Sequence, residues 1–191
     1  MITGPDKVGK RTLAIDMACM VNSEAVVDMF GEAPNIDLSS SQQADRIRKG
    51  IHSDVRLINV DTELEKDSRK ARSGDDEGGS GGKGRKNISI DHIRDLIKDS
   101  ATKPFEGLSK VFIIEDAHRM TIEASNTLLK TLEEPPEYLK FIFATTEIKK
   151  IPVTVVSRCQ RFDLVRVKSL ELFNFIKKIT EKEKGKATDD A

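Results

Sequence analysis

The stretch that most constrains this chain runs from residue 110 to residue 162 and reads KVFIIEDAHRMTIEASNTLLKTLEEPPEYLKFIFATTEIKKIPVTVVSRCQRF. It opens with a continuous apolar run, Val111 to Ile114, closed by Glu115 and Asp116. An unbroken run of this kind fits a strand covered by helices on both faces, as in a parallel sheet. Acids at the end of such a strand sit at the carboxyl edge, where open α/β sheets bind ligands. A helix is predicted next. Thr121 is a good N-cap, Glu123 falls in the first turn, and Ile122, Ser125, Leu129 and Leu132 repeat at helical spacing. Pro135-Pro136 ends it, since proline donates no backbone bond and disfavours helix before itself. A second buried run, Phe141 to Ala144, ends in Thr145-Thr146, and Ser157-Arg158-Cys159-Gln160 precedes a third apolar alternation, Phe162 to Val167.

Near the start, residues 4–10 read Gly-Pro-Asp-Lys-Val-Gly-Lys and fit G-x-x-x-x-G-K. In such a loop backbone N–H groups surround phosphates while the lysine reaches the outer ones, so Gly4, Gly9 and Lys10 are the candidate phosphate contacts. The helix expected after it has Leu13, Met17, Met20 and Val21 on one face, and its N-terminus favours anions. One position departs from the pattern. Arg11 stands where a Ser or Thr would ligate Mg²⁺, and Thr12 comes one residue late, on a different side of the helix. ATP binding is left open by this reading, and Mg²⁺ enters only if ATP binds. Only Met1 to Thr3 precede Gly4, so the strand that should feed the loop is nearly absent.

Composition narrows the classes. The 191 residues carry 32 basic and 32 acidic side chains, so no global field draws the chain to nucleic acid or to a membrane. No apolar run approaches the roughly 18 residues of a membrane helix, and no signal peptide is read at the start. Two cysteines, Cys19 and Cys159, exclude a disulfide framework and fit a reducing compartment, hence a cytoplasmic expectation. Val55 to Val60 reads as a strand. Residues 61–87 read as a flexible insertion, because six of the twelve glycines fall within Gly74–Gly84 among mixed charges. Ser89 then caps a helix with Ile90, Ile93, Leu96 and Ile97 inward. His52 is expected on a surface or turn, and His118, with no obvious acid partner, beside the helix that follows it.

LLKTLEEPP followed by FIFATTEIKKIPVTVVSRCQRF resembles the AAA+ module of clamp-loader subunits, and within that family the delta prime type of bacterial DNA polymerase III. The resemblance covers roughly residues 1–180 apart from the segment near 61–87. It implies a three-layer α/β AAA+ P-loop module with a parallel sheet over residues 1–168. Residues 169–191 would be the start of a lid helix near Ser169 and a polar tail, with the family's further lid and helical collar absent from this stretch. Between Asn22 and Gly50 many clamp-loader subunits carry four zinc-binding cysteines. Serines stand here instead, so no structural zinc is expected.

The same resemblance assigns roles. Arg158, in Ser-Arg-Cys, would be an arginine finger offered to a neighbouring subunit's ATP, a task that suits a planar, permanently charged fork of donors. The alternative is an arginine paired with a surface acid. Glu115-Asp116 reverses the family's Asp-Glu order, so the pair reads as a degenerate Walker B site or a solvated strand end. Thr146 matches the sensor of the γ-phosphate or caps the strand end. Cys159 reads as a packed residue. The expectation is a clamp-loader subunit that helps load the sliding clamp onto primed DNA within a hetero-oligomer of tau/gamma and delta partners, with little ATPase of its own. The alternative is an ATP-hydrolysing tau/gamma-type motor subunit.

Overall fold

The computed structural model describes residues 1–23, 41–60 and 87–183. Segment 61–86, residues 24–40 of the stretch read for zinc, and the polar tail from residue 184 lie outside the described residues.

Among the described residues five parallel strands form one sheet in the order β2-β3-β4-β1-β5. They are β1 (Ile2–Thr3), β2 (Val55–Ile58), β3 (Lys110–Ile114), β4 (Leu139–Thr145) and β5 (Phe162–Asp163). Central β3 is buried at every position, and its side chains alternate between two cores. Phe112 and Ile114 pack with Ile93, Leu96, Leu128 and Phe143 on one face. Val111 and Ile113 pack with Ile2, Ala14, Ala18 and Cys19 on the other. Helices cover both faces, which is why β3 is apolar at every position after Lys110. This is the expected three-layer α/β arrangement.

Helix α1 (Lys10–Asn22) buries Ala14, Ala18 and Cys19, while Met20 is exposed and Leu13, Met17 and Val21 are only partly covered. The face predicted from the large side chains is therefore rotated. Small residues let the helix lie close to the sheet, a signal that counting bulky residues misses. Beyond it, α2 (Gln42–Arg48) starts at Ser41, whose Oγ accepts from the Ala44 N–H. Next, α3 (Ile90–Ser100) follows the Ser89 N-cap and buries Ile93 and Leu96, with Ile97 partly covered. Helix α4 (Ile122–Glu133) starts as predicted, with Thr121 Oγ1 accepting from the Ala124 N–H at 3.2 Å. It buries Ala124, Ser125 and Leu128 and leaves Ile122 exposed, so the inward stripe is again offset from the predicted one. The helix ends at Glu133, two residues before Pro135.

A short helix, α5 (Val153–Val156), leads through Ser157 to Arg158. The strand expected over Phe162 to Val167 is only the two residues of β5, and Val165 and Val167 are exposed. Helix α6 (Ser169–Lys182) has no buried residue. Among the described residues no helix is long and apolar enough to cross a membrane.

Candidate functional site

The P-loop connects β1 to α1 at the carboxyl edge of the sheet. Gly9 is the N-cap of α1 in the left-handed region (φ 85°), with no side chain capping the first-turn N–H groups. Those donors and the positive helix end suit an anion. Gly4 has a different role. With φ at 149°, its position is so close to the neighbouring chain that an added Cβ would fall 2.5 Å from the Leu164 carbonyl oxygen. Packing of the β1 end against the segment after β5 therefore requires glycine there. Lys10 folds back on the loop, its Nζ donating to the carbonyls of Gly4 (3.0 Å) and Pro5 (2.6 Å).

A pocket of about 300 Å³ lies over this loop, lined by Asp6, Lys7, Gly9, Lys10, Arg11, Glu115, Asp116 and Ala144. The sequence-predicted Gly9, Lys10, Arg11, Glu115 and Asp116 thus meet in one place, whereas Thr12 is exposed one position further along α1. Across the pocket Arg11 Nη1 is 3.6 Å from Glu115 Oε2. Asn59, just past β2, also donates to Glu115 Oε2 at 3.2 Å. The acid that would face a metal thereby has an ion-pair partner and a hydrogen-bond donor from its own chain. Asp116 adopts a left-handed conformation (φ 47°, ψ 45°), which aspartate tolerates better than most residues. Tested against these groups, a phosphate fits the loop, but Mg²⁺ does not fit its shell. The position after Lys10 carries a cation instead of an oxygen ligand, and that cation sits on the nearest carboxylate.

At the end of β4 the bonded hydroxyl is that of Thr145, which is fully buried, rather than that of partly exposed Thr146. Thr145 Oγ1 accepts from the Glu147 N–H at 3.0 Å and lies 3.1 Å from His118 Nδ1. His118 Nε2 faces Glu147 Oε1 at 3.7 Å, so the histidine does have an acid partner, 29 residues on in sequence. Lys150 bonds Glu147 and holds its carboxyl below the ordinary glutamate value. These contacts tie the turn after β3 to the turn after β4, beside the pocket. Sequence spacing gave no signal of them, because the partners meet only when the two strands pair.

Arg158 is not brought to this pocket. It lines a separate cavity of about 340 Å³ with Leu132, Pro135, Leu139 and Cys159, beside the amino end of β4. Its Nη2 donates to Glu133 Oε1 at 2.5 Å and its Nη1 to the Thr154 carbonyl at 2.7 Å. Cys159 is partly buried against the core, which pushes its thiol above the ordinary range, as suits a packed residue. His52 lies at the turn before β2, but it is not on the surface. It is buried, with Nε2 2.6 Å from Gln43 Oε1 and Nδ1 accepting from the Asp54 N–H. Its partners come from α2 and from its own turn, so the pattern of nearby residues did not reveal them.

A parallel three-layer sheet with a glycine loop after β1 at its carboxyl edge, and acids at the end of β3 with β4 between the two strands, fits a P-loop module of the AAA+ class. The chain belongs to the family described as DNA polymerase III, delta subunit, whose model matches residues 1–168. It is 47% identical over 97 residues to the DNA polymerase III subunit tau of Bacillus subtilis, covering 51% of this chain and 17% of that protein. It is also 41% identical over 93 residues to the subunit gamma of Buchnera aphidicola subsp. Schizaphis graminum, covering 49% of this chain and 26% of that protein. The solved structure of a DNA polymerase III gamma subunit-related protein from Thermotoga maritima shares the fold. Its TM-score is 0.56 at 23% identity, over 95% of this chain and 46% of that one. The matches thus span only a minor part of each of these curated relatives.

Proposed function

We propose that this chain is the AAA+ part of a clamp-loader subunit of the delta prime type, with little or no ATP hydrolysis of its own. The observation that carries this reading is the Arg11–Glu115 ion pair across the P-loop pocket. It places a guanidinium where hydrolysis needs a metal ion, and it engages the carboxylate that would help hold that metal. Gly9 and the uncapped first turn of α1 keep a site that fits phosphate, with Lys10 beside it, so ATP can be held without being turned over. Glu115 and Asp116 are then remnants of a Walker B pair. Thr146 would be the sensor position, supported from below by the Thr145–His118 contact.

The chain's chemical contribution is Arg158, offered as a finger to the nucleotide of an adjacent tau- or gamma-type subunit. Its distance from its own pocket agrees with action in trans. Its partners would be tau/gamma and delta subunits, and through them the sliding clamp and primed DNA in the bacterial cytoplasm. The test is phosphate release by the isolated chain at saturating Mg-ATP. Turnover well below 1 s⁻¹, the low end of ordinary enzymes, is expected. A rate at or above that would favour the second reading, a tau/gamma-type motor subunit. That reading draws on the tau and gamma relatives at 41–47% identity.

A further inference from the structure

The two motifs that mark this chain, LEEPP and Ser-Arg-Cys, touch each other. Glu133 is the last residue of α4, which stops short of Pro135-Pro136. Arg158 lies 25 residues on, and its Nη2 donates to Glu133 Oε1 at 2.5 Å. Nη1 donates to the Thr154 carbonyl at 2.7 Å and lies 3.5 Å from Ser157 Oγ. Both terminal nitrogens of the fork are therefore turned toward their own chain. The side chain keeps 33% of its surface, and that of Glu133 keeps 50%.

A carboxylate and a phosphate compete for the same guanidinium geometry. We infer that Glu133 is a counter-ion that stows Arg158, and that the phosphate oxygens of a nucleotide on the adjacent subunit must exchange with Glu133 before the finger acts. The inference rests on the finger reading above and adds regulation to it. Three features point to a stowed pose. The bond is charge-assisted on both sides. The backbone carbonyl of Thr154 fixes the other end of the fork. And Cys159 anchors the chain beside it in the core. Exchange remains easy because both partners reach water, where an ion pair is weak. Glu133 is thus a positioning residue, since it acts through Arg158 and not on the nucleotide.

The experiment uses the loader assembled with the full-length subunit, carrying Glu133→Gln, Arg158→Ala or both. It reads kcat/KM for ATP with clamp and primed DNA present, after gel filtration confirms assembly. Glutamine keeps the size and an oxygen acceptor but removes the competing charge. Glu133→Gln should raise kcat/KM about two- to fivefold, the size of an exposed ion pair. Arg158→Ala should lower turnover at the adjacent site a hundredfold or more, in line with fingers supplied in trans. The double variant should match Arg158→Ala, because Glu133 has nothing left to stow. A purely structural Glu133 gives no rise. An unchanged or reduced value in Glu133→Gln, with Arg158→Ala still inactive, overturns the stowing inference and leaves the finger. Unchanged activity in Arg158→Ala removes the finger and the inference with it.

Discussion

Arg11 Nη1 lies 3.6 Å from Glu115 Oε2, so the residue after the P-loop lysine is paired with the acid at the end of β3. The pair joins two departures from the nucleotide-hydrolysing pattern into one contact. A hydroxyl at position 11 would leave Glu115 with Asn59 as its donor and return an oxygen ligand to the pocket. Arg11→Thr should therefore gain Mg²⁺-dependent ATP affinity. The expected gain is about tenfold, or ~1.4 kcal/mol, measured by calorimetry with and without chelator. Hydrolysis should stay slow, since the order of Glu115 and Asp116 is unchanged and misplacement near 1 Å costs about a hundredfold. Equal affinity with and without Mg²⁺ in the variant would mean that the guanidinium is not the obstacle.

Much of the fold could be read in the sequence because the central strands have only one way to be apolar on both faces. The two apolar runs lie in the paired strands β3 and β4, with Phe112–Ile114 opposite Phe141–Phe143, and Thr121 caps its helix as expected. The reading failed where partners are distant or small. The inward face of α1 is set by Ala14 and Ala18, which carry little hydrophobic signal, and not by Met20. His52 and His118 are held by Gln43, Thr145 and Glu147, contacts that exist only after the strands and turns assemble. At the candidate site, the P-loop and Glu115-Asp116 were read from pattern. The Arg11–Glu115 pair was not, and the pairing of Arg158 with a surface acid was legible only as an alternative without its partner Glu133, because local spacing says nothing about side chains that meet across elements.

The two P-loop glycines should differ in what they cost. At Gly4 an alanine Cβ would meet the Leu164 carbonyl oxygen at 2.5 Å, and the backbone φ of 149° disfavours it as well. At Gly9 nothing lies within 4 Å of the added carbon, so only the left-handed backbone (φ 85°) resists. Gly9→Ala should cost about 1 kcal/mol, and Gly4→Ala about 3 kcal/mol, near the top of the range for strained positions. Urea midpoints of the two variants give the comparison. Similar losses would mean that β1 and the segment after β5 can separate at little cost.

Lys110, the first residue of β3, is buried, and its Nζ donates to the Asp99 carbonyl (2.9 Å), Asp99 Oδ1 (3.0 Å) and Thr102 Oγ1 (2.6 Å). It therefore closes the end of α3 onto the sheet. Methionine would fill the space and supply no donor. Asp99 would keep Arg56 at 3.0 Å, which limits the damage. Lys110→Met should cost about 2 kcal/mol, within the range for a buried group left unsatisfied. A chemical melt checks this, and a loss under 0.5 kcal/mol would show that water replaces the ammonium.

Asp54 should set part of the acid limit of the fold. Its buried carboxylate accepts three backbone N–H bonds, from Phe105 at 2.8 Å, Glu106 at 2.7 Å and Gly107 at 2.8 Å. Burial pushes this carboxyl up, but the three bonds together outweigh it, helped by nearby His52, and hold it below the ordinary aspartate value. Asp99 moves the same way, burial again being opposed by bonds from Arg56 and Lys110. A carboxyl depressed in the folded state stabilises the fold above its ordinary titration, near pH 3.9. That contribution is lost as pH falls through the lower folded value. Asp54→Asn removes the charge and turns one acceptor oxygen into a donor facing a backbone N–H. At pH 7 it should cost about 1–3 kcal/mol. Between pH 5 and pH 2 its stability should fall less steeply than that of the native chain, because one linked proton is gone. Denaturant titrations across that window measure both effects. Parallel acid profiles for the two proteins would mean that Asp54 binds its proton equally in the folded and unfolded states, and that the loop from Phe105 to Gly107 does not depend on its charge.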